Sequence, residues 1–153
     1  MDKVVIYTDG SSRGNPGPGG YGALLMWGQK AKEISEGFRK TTNNRMELLA
    51  VIKALNTLKK NDFPIHIYTD SKYVVESVEK KWLDNWIKTN FKGGKKNKDL
   101  WMQYHEIAKN FKIHFHWVKG HADNPHNNRC DELATLAADN GPWQIDAEYE
   151  AIQ

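Results

Sequence analysis

An α/β fold built on a five-stranded mixed sheet is predicted by three features of this 153-residue chain. Strand-like runs come first in succession, later apolar runs alternate between strand and helix, and two of the strands end in nearly the same words. Those words are Ile6-Tyr7-Thr8-Asp9-Gly10-Ser11 and Ile67-Tyr68-Thr69-Asp70-Ser71. Successive strands make an antiparallel meander, whereas alternation with helices requires parallel crossovers, so the sheet combines three antiparallel strands with two parallel ones and helices flank it.

The first strand runs from about Val4 to Thr8 and gives way to a segment rich in turn formers, from Gly10 to Gly20, expected as loop. Tyr21 to Trp27 and Glu33 to Arg39 read as the second and third strands around Gly28-Gln29-Lys30. From Asn43 to Lys59, Met46, Leu49, Ala50, Ile52, Leu55 and Leu58 recur at helical spacing, with Thr42 or Asn43 as cap and Glu47 expected in the first turn. Ile65 to Tyr68 is the fourth strand. Helices are expected at Ser71 to Lys80, Trp82 to Lys88 and Leu100 to Asn110, the last two separated by a loop holding Gly93-Gly94. Lys112 to Val118 is the fifth strand, Gly120 to Asn127 a polar loop, and Asn128 to Ala138 a final helix stopped by Asn140-Gly141-Pro142. Residues 1–141 are expected as one domain, and 142–153 as a poorly ordered acidic tail carrying Asp146, Glu148 and Glu150.

Composition narrows the class. With 39% hydrophobic and 27% charged residues the chain reads as globular and holds no apolar run long enough to span a bilayer. The single cysteine, Cys130, excludes an intrachain disulfide, and Met1-Asp2-Lys3 leaves no room for a signal peptide before the first strand, so a cytoplasmic protein is expected. The net charge of +3 is modest, but its distribution is not. Between Lys80 and Lys98 seven lysines face one acid, Asp84, with Trp82, Trp86 and Phe91 interleaved. Lysines neutralise phosphates and aromatic faces stack on sugars or bases, which suits a nucleic acid; a solvated helical face with its aromatics in the core is the plainer alternative.

Aspartates at the ends of two neighbouring parallel strands would lie about 4.8 Å apart and repel unless a divalent cation lay between them. Glu47 and Asp131, each near a helix start, would alone be acids complementing a helix dipole. Together with Asp9 and Asp70 they can converge on one sheet edge, where four carboxylates are stable only around hard cations such as Mg²⁺ or Mn²⁺. Of the other histidines, His66, His114 and His116 lie in strands, His105 in a helix and His126 in a loop; none has a metal-ligand spacing along the sequence.

At these residues the sequence resembles ribonuclease H type 1, in the bacterial form with a basic handle, from Val4 to about Ala138. The motifs are Thr8-Asp9-Gly10-Ser11 with its Gly-Asn-Pro-Gly loop, Thr42-Asn43-Asn44-Arg45-Met46-Glu47-Leu48, Tyr68-Thr69-Asp70-Ser71, Trp117-Val118-Lys119-Gly120-His121 and Asn128-Arg129-Cys130-Asp131-Glu132-Leu133-Ala134. The resemblance implies the ribonuclease H-like fold and endonucleolytic hydrolysis of the RNA strand of an RNA·DNA hybrid, leaving 5′-phosphate and 3′-hydroxyl ends. It implies two Mg²⁺ ions, with Mn²⁺ as a substitute, held by Asp9, Glu47, Asp70 and Asp131, and a proton-moving or product-releasing His121. It also places Gly10, Ser11, Asn15 and Asn43 on the RNA strand and Asn44 and Asn15 on the DNA strand. Thr42, Arg45 and Asn97 fall in a DNA-phosphate pocket, Trp82 and Trp86 in a channel, and Lys88, Lys92, Lys95, Lys96 and Lys98 in a basic handle at about 80–98. A monomer with no membrane partner is expected. Lys72 departs from the uncharged residue common after Asp-Ser in the family. Two competing readings remain: another two-metal nuclease or strand-transfer enzyme of the same fold, and a non-catalytic hybrid-binding module.

Overall fold

A computed structural model describes residues 3–59, 62–120 and 123–151. Three strands come first, β1 (Val4–Ser12), β2 (Gly17–Trp27) and β3 (Lys30–Thr41), followed by helix α1 (Asn43–Thr57) and strand β4 (Ile65–Thr69). Helices α2 (Lys72–Glu79), α3 (Trp82–Lys88) and α4 (Lys98–Ala108) then lead to β5 (Ile113–Trp117) and α5 (Pro125–Asn140). A short strand β6 (Trp143–Gln144) and helix α6 (Ala147–Ala151) close the chain. The sheet order is β5-β4-β1-β2-β3-β6. Pairs β1–β2 and β2–β3 are antiparallel, and β1–β4, β4–β5 and β3–β6 are parallel. The expected meander and two parallel strands are thus present, with β6 as a short sixth strand. No helix among the described residues is long and apolar enough to cross a membrane.

Two layers of helix enclose the sheet. Ile6, Ile65 and Ile67 point from β1 and β4 towards Met46, Leu48, Val51, Ile52 and Leu55, all essentially solvent-free, and Val74 and Trp101 extend that core under α2 and α4. Removing a side chain such as Leu55 would cost about 2–5 kcal/mol through lost burial and the cavity left behind. On the other face α5 packs over β1, β2 and β3. Its approach depends on missing side chains: a Cβ on Gly22 would lie 2.6 Å from the Cys130 carbonyl oxygen, closer than van der Waals contact allows.

Three local expectations are corrected. The segment after Asp9 is not all loop, because Gly10, Ser11 and Ser12 continue β1 and pair with Tyr21, Gly20 and Gly19. Glycine lets this extension fit beneath α1, since a Cβ at Gly10 would stand 2.3 Å from the Glu47 amide nitrogen. Glu47 and Asp131 sit in second turns rather than first, because α1 begins at Asn43 and α5 at Pro125, capped by the Asn124 side chain. The Thr42 hydroxyl caps α1 by accepting from the Arg45 amide at 3.2 Å.

The third correction concerns the tail. Trp143 and Gln144 pair with Gly37 and Phe38, and Asp146 is buried, accepting from the Thr41 hydroxyl at 2.7 Å and from Arg45. Arg39 reaches Glu150 through two hydrogen bonds. An acidic tail reads as solvated when its basic partners, Arg39 and Arg45, lie a hundred residues earlier in the chain.

Candidate active site

Asp9 lies inside β1 where its pairing with β4 stops at Thr8 and Thr69, while Asp70 directly follows β4. Glu47 reaches in from α1. One carboxylate oxygen from each of Asp9, Glu47 and Asp70 falls within 4.8 Å of the others. Asp9 and Glu47 are buried, and Asp70 is half-exposed, which leaves the trio open on one side. The Asp9 Oδ1 accepts from the Gly10 amide at 2.9 Å. Beside Asp70, Gly120 leaves room: a Cβ there would stand 2.9 Å from Oδ2.

The electrostatics are those of a site without compensating cations. Burial and then the charge of Asp70 push the Asp9 carboxyl up to about 8, with Asp131 adding to the effect and a hydrogen bond with Glu47 opposing it. Burial, followed by Asp9 and Asp70, raises Glu47 well above its usual range. Glu47 Oε1 is buried and receives no hydrogen bond. A buried acceptor without a donor costs free energy, and a hard cation would satisfy it. The donor set and this orphaned oxygen therefore fit Mg²⁺ or Mn²⁺. Asp131, half-exposed on α5, is close enough to act on Asp9 electrostatically but stands outside the tight trio. His121 lies outside the described residues.

A groove of 1320 Å³ is lined in part by Asn15, Thr42, Asn44, Trp82, Trp86, Lys95, Lys96, Asn97 and Lys98, with Asn44 on the same helix as Glu47. Nine of the expected hybrid-binding side chains thus share one surface. Asn15 is tied to α1, its Oδ1 accepting from the Asn43 amide at 3.1 Å. Trp82 is 40% exposed, whereas Trp86 is wedged against Trp101 and Phe91, with Lys95 Nζ 5.8 Å from its ring centre. Lys80 stands similarly over Trp82 at 5.5 Å. Lys88 and Lys92 are exposed on the same handle but do not line the groove, and neither do Gly10, Ser11 and Asn43.

Arg45 is corrected. The expected phosphate contact is only 1% exposed, and all five of its N–H groups are committed inside the protein. Two hydrogen bonds go to Asp146 (2.7 and 2.9 Å), two to Asp99 (2.9 and 2.7 Å) and one to Asn97 Oδ1 (3.3 Å). Arg45 is the bracket that joins α1, α4 and the tail, and it holds the Asn97 side chain from within. Asn97 in turn donates to the Tyr73 hydroxyl at 3.1 Å, which also accepts from Trp101 Nε1 at 2.7 Å. Tyr73, Ser77, Met102 and Tyr149 also line the groove and were not singled out from the sequence, and Glu148, expected only as part of a loose acidic tail, lines it too. For Tyr149 the one available signal was an aromatic in an otherwise acidic tail. Cys130 is buried, its Sγ donating to the Tyr7 carbonyl at 3.3 Å, and burial with the nearby Asp9 charge pushes the thiol up to about 12. It is an inert packing residue.

Comparison with known proteins bears on the family and the fold. The family model described as RNase H matches residues 1–139. A ribonuclease H of Psychromonas ingrahamii is 47% identical over 154 residues, covering 98% of this chain and 99% of that protein. Among solved structures, LC9-RNase H1, described as a type 1 RNase H with the type 2 active-site motif, superposes with a TM-score of 0.79 at 26% identity, over 100% of this chain and 82% of that one. LC11-RNase H1, solved in complex with an RNA/DNA hybrid, superposes with a TM-score of 0.68 at 26% identity, over 89% of this chain and 96% of that one. The family model over residues 1–139, the ribonuclease H relative 47% identical over nearly the whole chain and the shared fold place the chain in the ribonuclease H family as a type 1 enzyme.

Proposed function

We propose that the protein hydrolyses the RNA strand of an RNA·DNA hybrid endonucleolytically by a two-metal-ion mechanism, leaving 5′-phosphate and 3′-hydroxyl ends. The observation that carries this reading is the Asp9–Glu47–Asp70 trio, whose oxygens lie within 4.8 Å of one another, in a chain whose helix α1 carries Glu47 and also lends Asn44 to the basic groove. Two divalent cations, Mg²⁺ or in its place Mn²⁺, would supply water activation near neutral pH and charge stabilisation of an in-line displacement. Asp9, whose carboxylate lies within 4.8 Å of both Glu47 and Asp70, would serve both ions. Asp70 and Glu47 would each hold one, and Asp131 would join from α5. The ionised form of Asp9 and Glu47, disfavoured by burial, becomes the stable form once such charges are present.

Selectivity for the hybrid would come from two strands of contacts. Gly10, Ser11, Asn15 and Asn43 would read the ribose 2′-hydroxyls, the group that separates RNA from DNA. Asn44, Thr42 and Asn97 face the groove with Trp82 and Trp86, a set suited to a deoxyribose backbone. Lys88, Lys92, Lys95, Lys96 and Lys98 add salt-sensitive attraction. His121 would move a proton or assist product departure. The protein is expected to work as a cytoplasmic monomer on residues 1–141, with the docked tail bracing the groove through Arg45.

The test is incubation of the protein in Mg²⁺ with end-labelled hybrid, RNA duplex and DNA duplex. Cutting confined to the RNA of the hybrid, with extendable 3′ ends, is expected. An intact hybrid, or equal cutting of all three, would overturn the proposal.

A further inference from the structure

Away from the groove, the sheet face that α5 leaves uncovered carries a cluster of imidazoles. In β4 the buried residues are Ile65, Ile67 and Thr69, so His66 and Tyr68 point to the opposite face. In β5, His114 and His116 flank buried Phe115 and point the same way. The register pairs His66 with His114 and Tyr68 with His116, so His116 stands diagonally across from His66. The three rings are gathered closely: centroids are 4.9 Å apart for His66 and His114 and 5.1 Å for His66 and His116. His66 Nδ1 and His116 Nε2 are 2.8 Å apart. His114 is exposed and the other two are half-exposed, so an ion could reach them from solvent.

We infer that His66 and His116 form a two-imidazole binding site, completed by solvent, for a divalent transition-metal ion of the imidazole-preferring class, Cu²⁺, Ni²⁺ or Zn²⁺, with His114 stacked beside His66 as a neighbour and not a ligand. Mg²⁺ prefers oxygen, so this site and the carboxylate trio would take different ions. At 2.8 Å the two facing nitrogens share one hydrogen. Ligation needs both lone pairs, so that hydrogen must leave its nitrogen and a solvent proton must occupy the outer nitrogen of the same ring, with both rings staying neutral. Two nitrogens in adjacent positions around a tetragonal ion stand about 2.8–3.0 Å apart, against about 3.3 Å around a tetrahedral one with bonds of about 2.0 Å. The observed separation is near the tetragonal value, so Cu²⁺ and Ni²⁺ need the smaller displacement, mainly a turn of each ring towards a common point. His66 is held below the usual imidazole range by burial and by His116, His114 and Lys3, which keeps it available as a neutral ligand.

The consequence is structural. β5 is the edge strand of the sheet and pairs with β4 alone. An ion shared by His66 and His116 would staple the two strands, and binding only the folded state would raise stability by mass action.

The experiment titrates Cu²⁺ into the protein held in excess Mg²⁺, read by calorimetry and by electron paramagnetic resonance. One tightly bound ion with nitrogen hyperfine structure is expected, together with a rise in the unfolding temperature. His66→Gln and His116→Gln should each weaken binding at least tenfold, and His114→Gln less, while all three keep hybrid cleavage and circular dichroism unchanged. Asp9→Asn should leave the nitrogen signal intact, which separates this site from the carboxylates. Oxygen-only coordination, or undiminished nitrogen coordination in the His66→Gln/His116→Gln double variant, would overturn the inference.

Discussion

Replacing Asp9 with Asn should destroy cleavage and yet make the metal-free protein more stable. The cause is the cost of burying Asp9 beside Asp70 and Asp131, which lifts its carboxyl from 3.8 to about 8. A group with a raised folded-state pKa contributes stability that is fully present below its unfolded value and is lost as pH climbs through the folded one. Here that window runs from 3.8 to about 8. At about pH 7 roughly three pKa units have been traversed, and at about 1.36 kcal/mol per unit the ceiling is about 4 kcal/mol. Asn keeps the acceptor for the Gly10 amide, now bonded at 2.9 Å, and offers an amide donor to Glu47. A gain of about 2–4 kcal/mol is therefore expected near pH 7, which for a chain of this size is about 5–15 °C in Tm. Urea unfolding of both proteins in chelator, near pH 4 and near pH 7, measures it. The gain should shrink to under about 1 kcal/mol near pH 4, where the folded state holds the proton and the unfolded state is about half protonated, and Mg²⁺ near pH 7 should stabilise the parent protein more than the variant. Equal stabilisation at both pH values, or none at pH 7, would refute the electrostatic account.

Three further outcomes follow from the packing and the groove. Gly22→Ala should push α5 from the sheet, because its Cβ would meet the Cys130 carbonyl at 2.6 Å; a stability loss of about 1–3 kcal/mol and a fall in kcat of up to about 100-fold are expected, as Asp131 rides on that helix. Arg45→Ala should cost about 3–5 kcal/mol in urea unfolding by leaving Asp146 and Asp99 unpaired, and the salt dependence of hybrid binding should stay the same, since no Arg45 N–H is left for a phosphate. A slope reduced by about one unit would instead mean direct phosphate contact. Lys92→Ala/Lys95→Ala/Lys96→Ala should weaken hybrid binding and flatten its salt dependence by up to about three units in filter-binding titrations, whereas an unchanged slope would make the handle a solvated surface.

Much of the architecture was legible because it is written in local pattern. The β-branched runs ending at Thr8 and Thr69, the helical spacing from Met46 to Leu55 and the Asn-Gly-Pro stop after α5 each act within a few residues, and the structure has each element there. The four acids could be singled out only as a set, since Glu47 and Asp131 alone read as acids complementing a helix dipole, and the tertiary structure draws three of the four into one cluster. What lay beyond reach were the partnerships made across distance. Arg45 reads as a nucleic-acid contact until Asp99 and Asp146 close around it, and the acidic tail reads as loose until Arg39 and Arg45 hold it. The histidines show no ligand spacing in sequence because their proximity is set by strand register, which brings His66 and His116 to 2.8 Å across a gap of fifty residues. The sequence by itself determined the order of elements from β1 to α5 and singled out the carboxylates that cluster. Only the tertiary structure decided which charges neutralise one another, because a side chain's pKa, burial and free hydrogen-bonding capacity depend on neighbours that chain folding supplies.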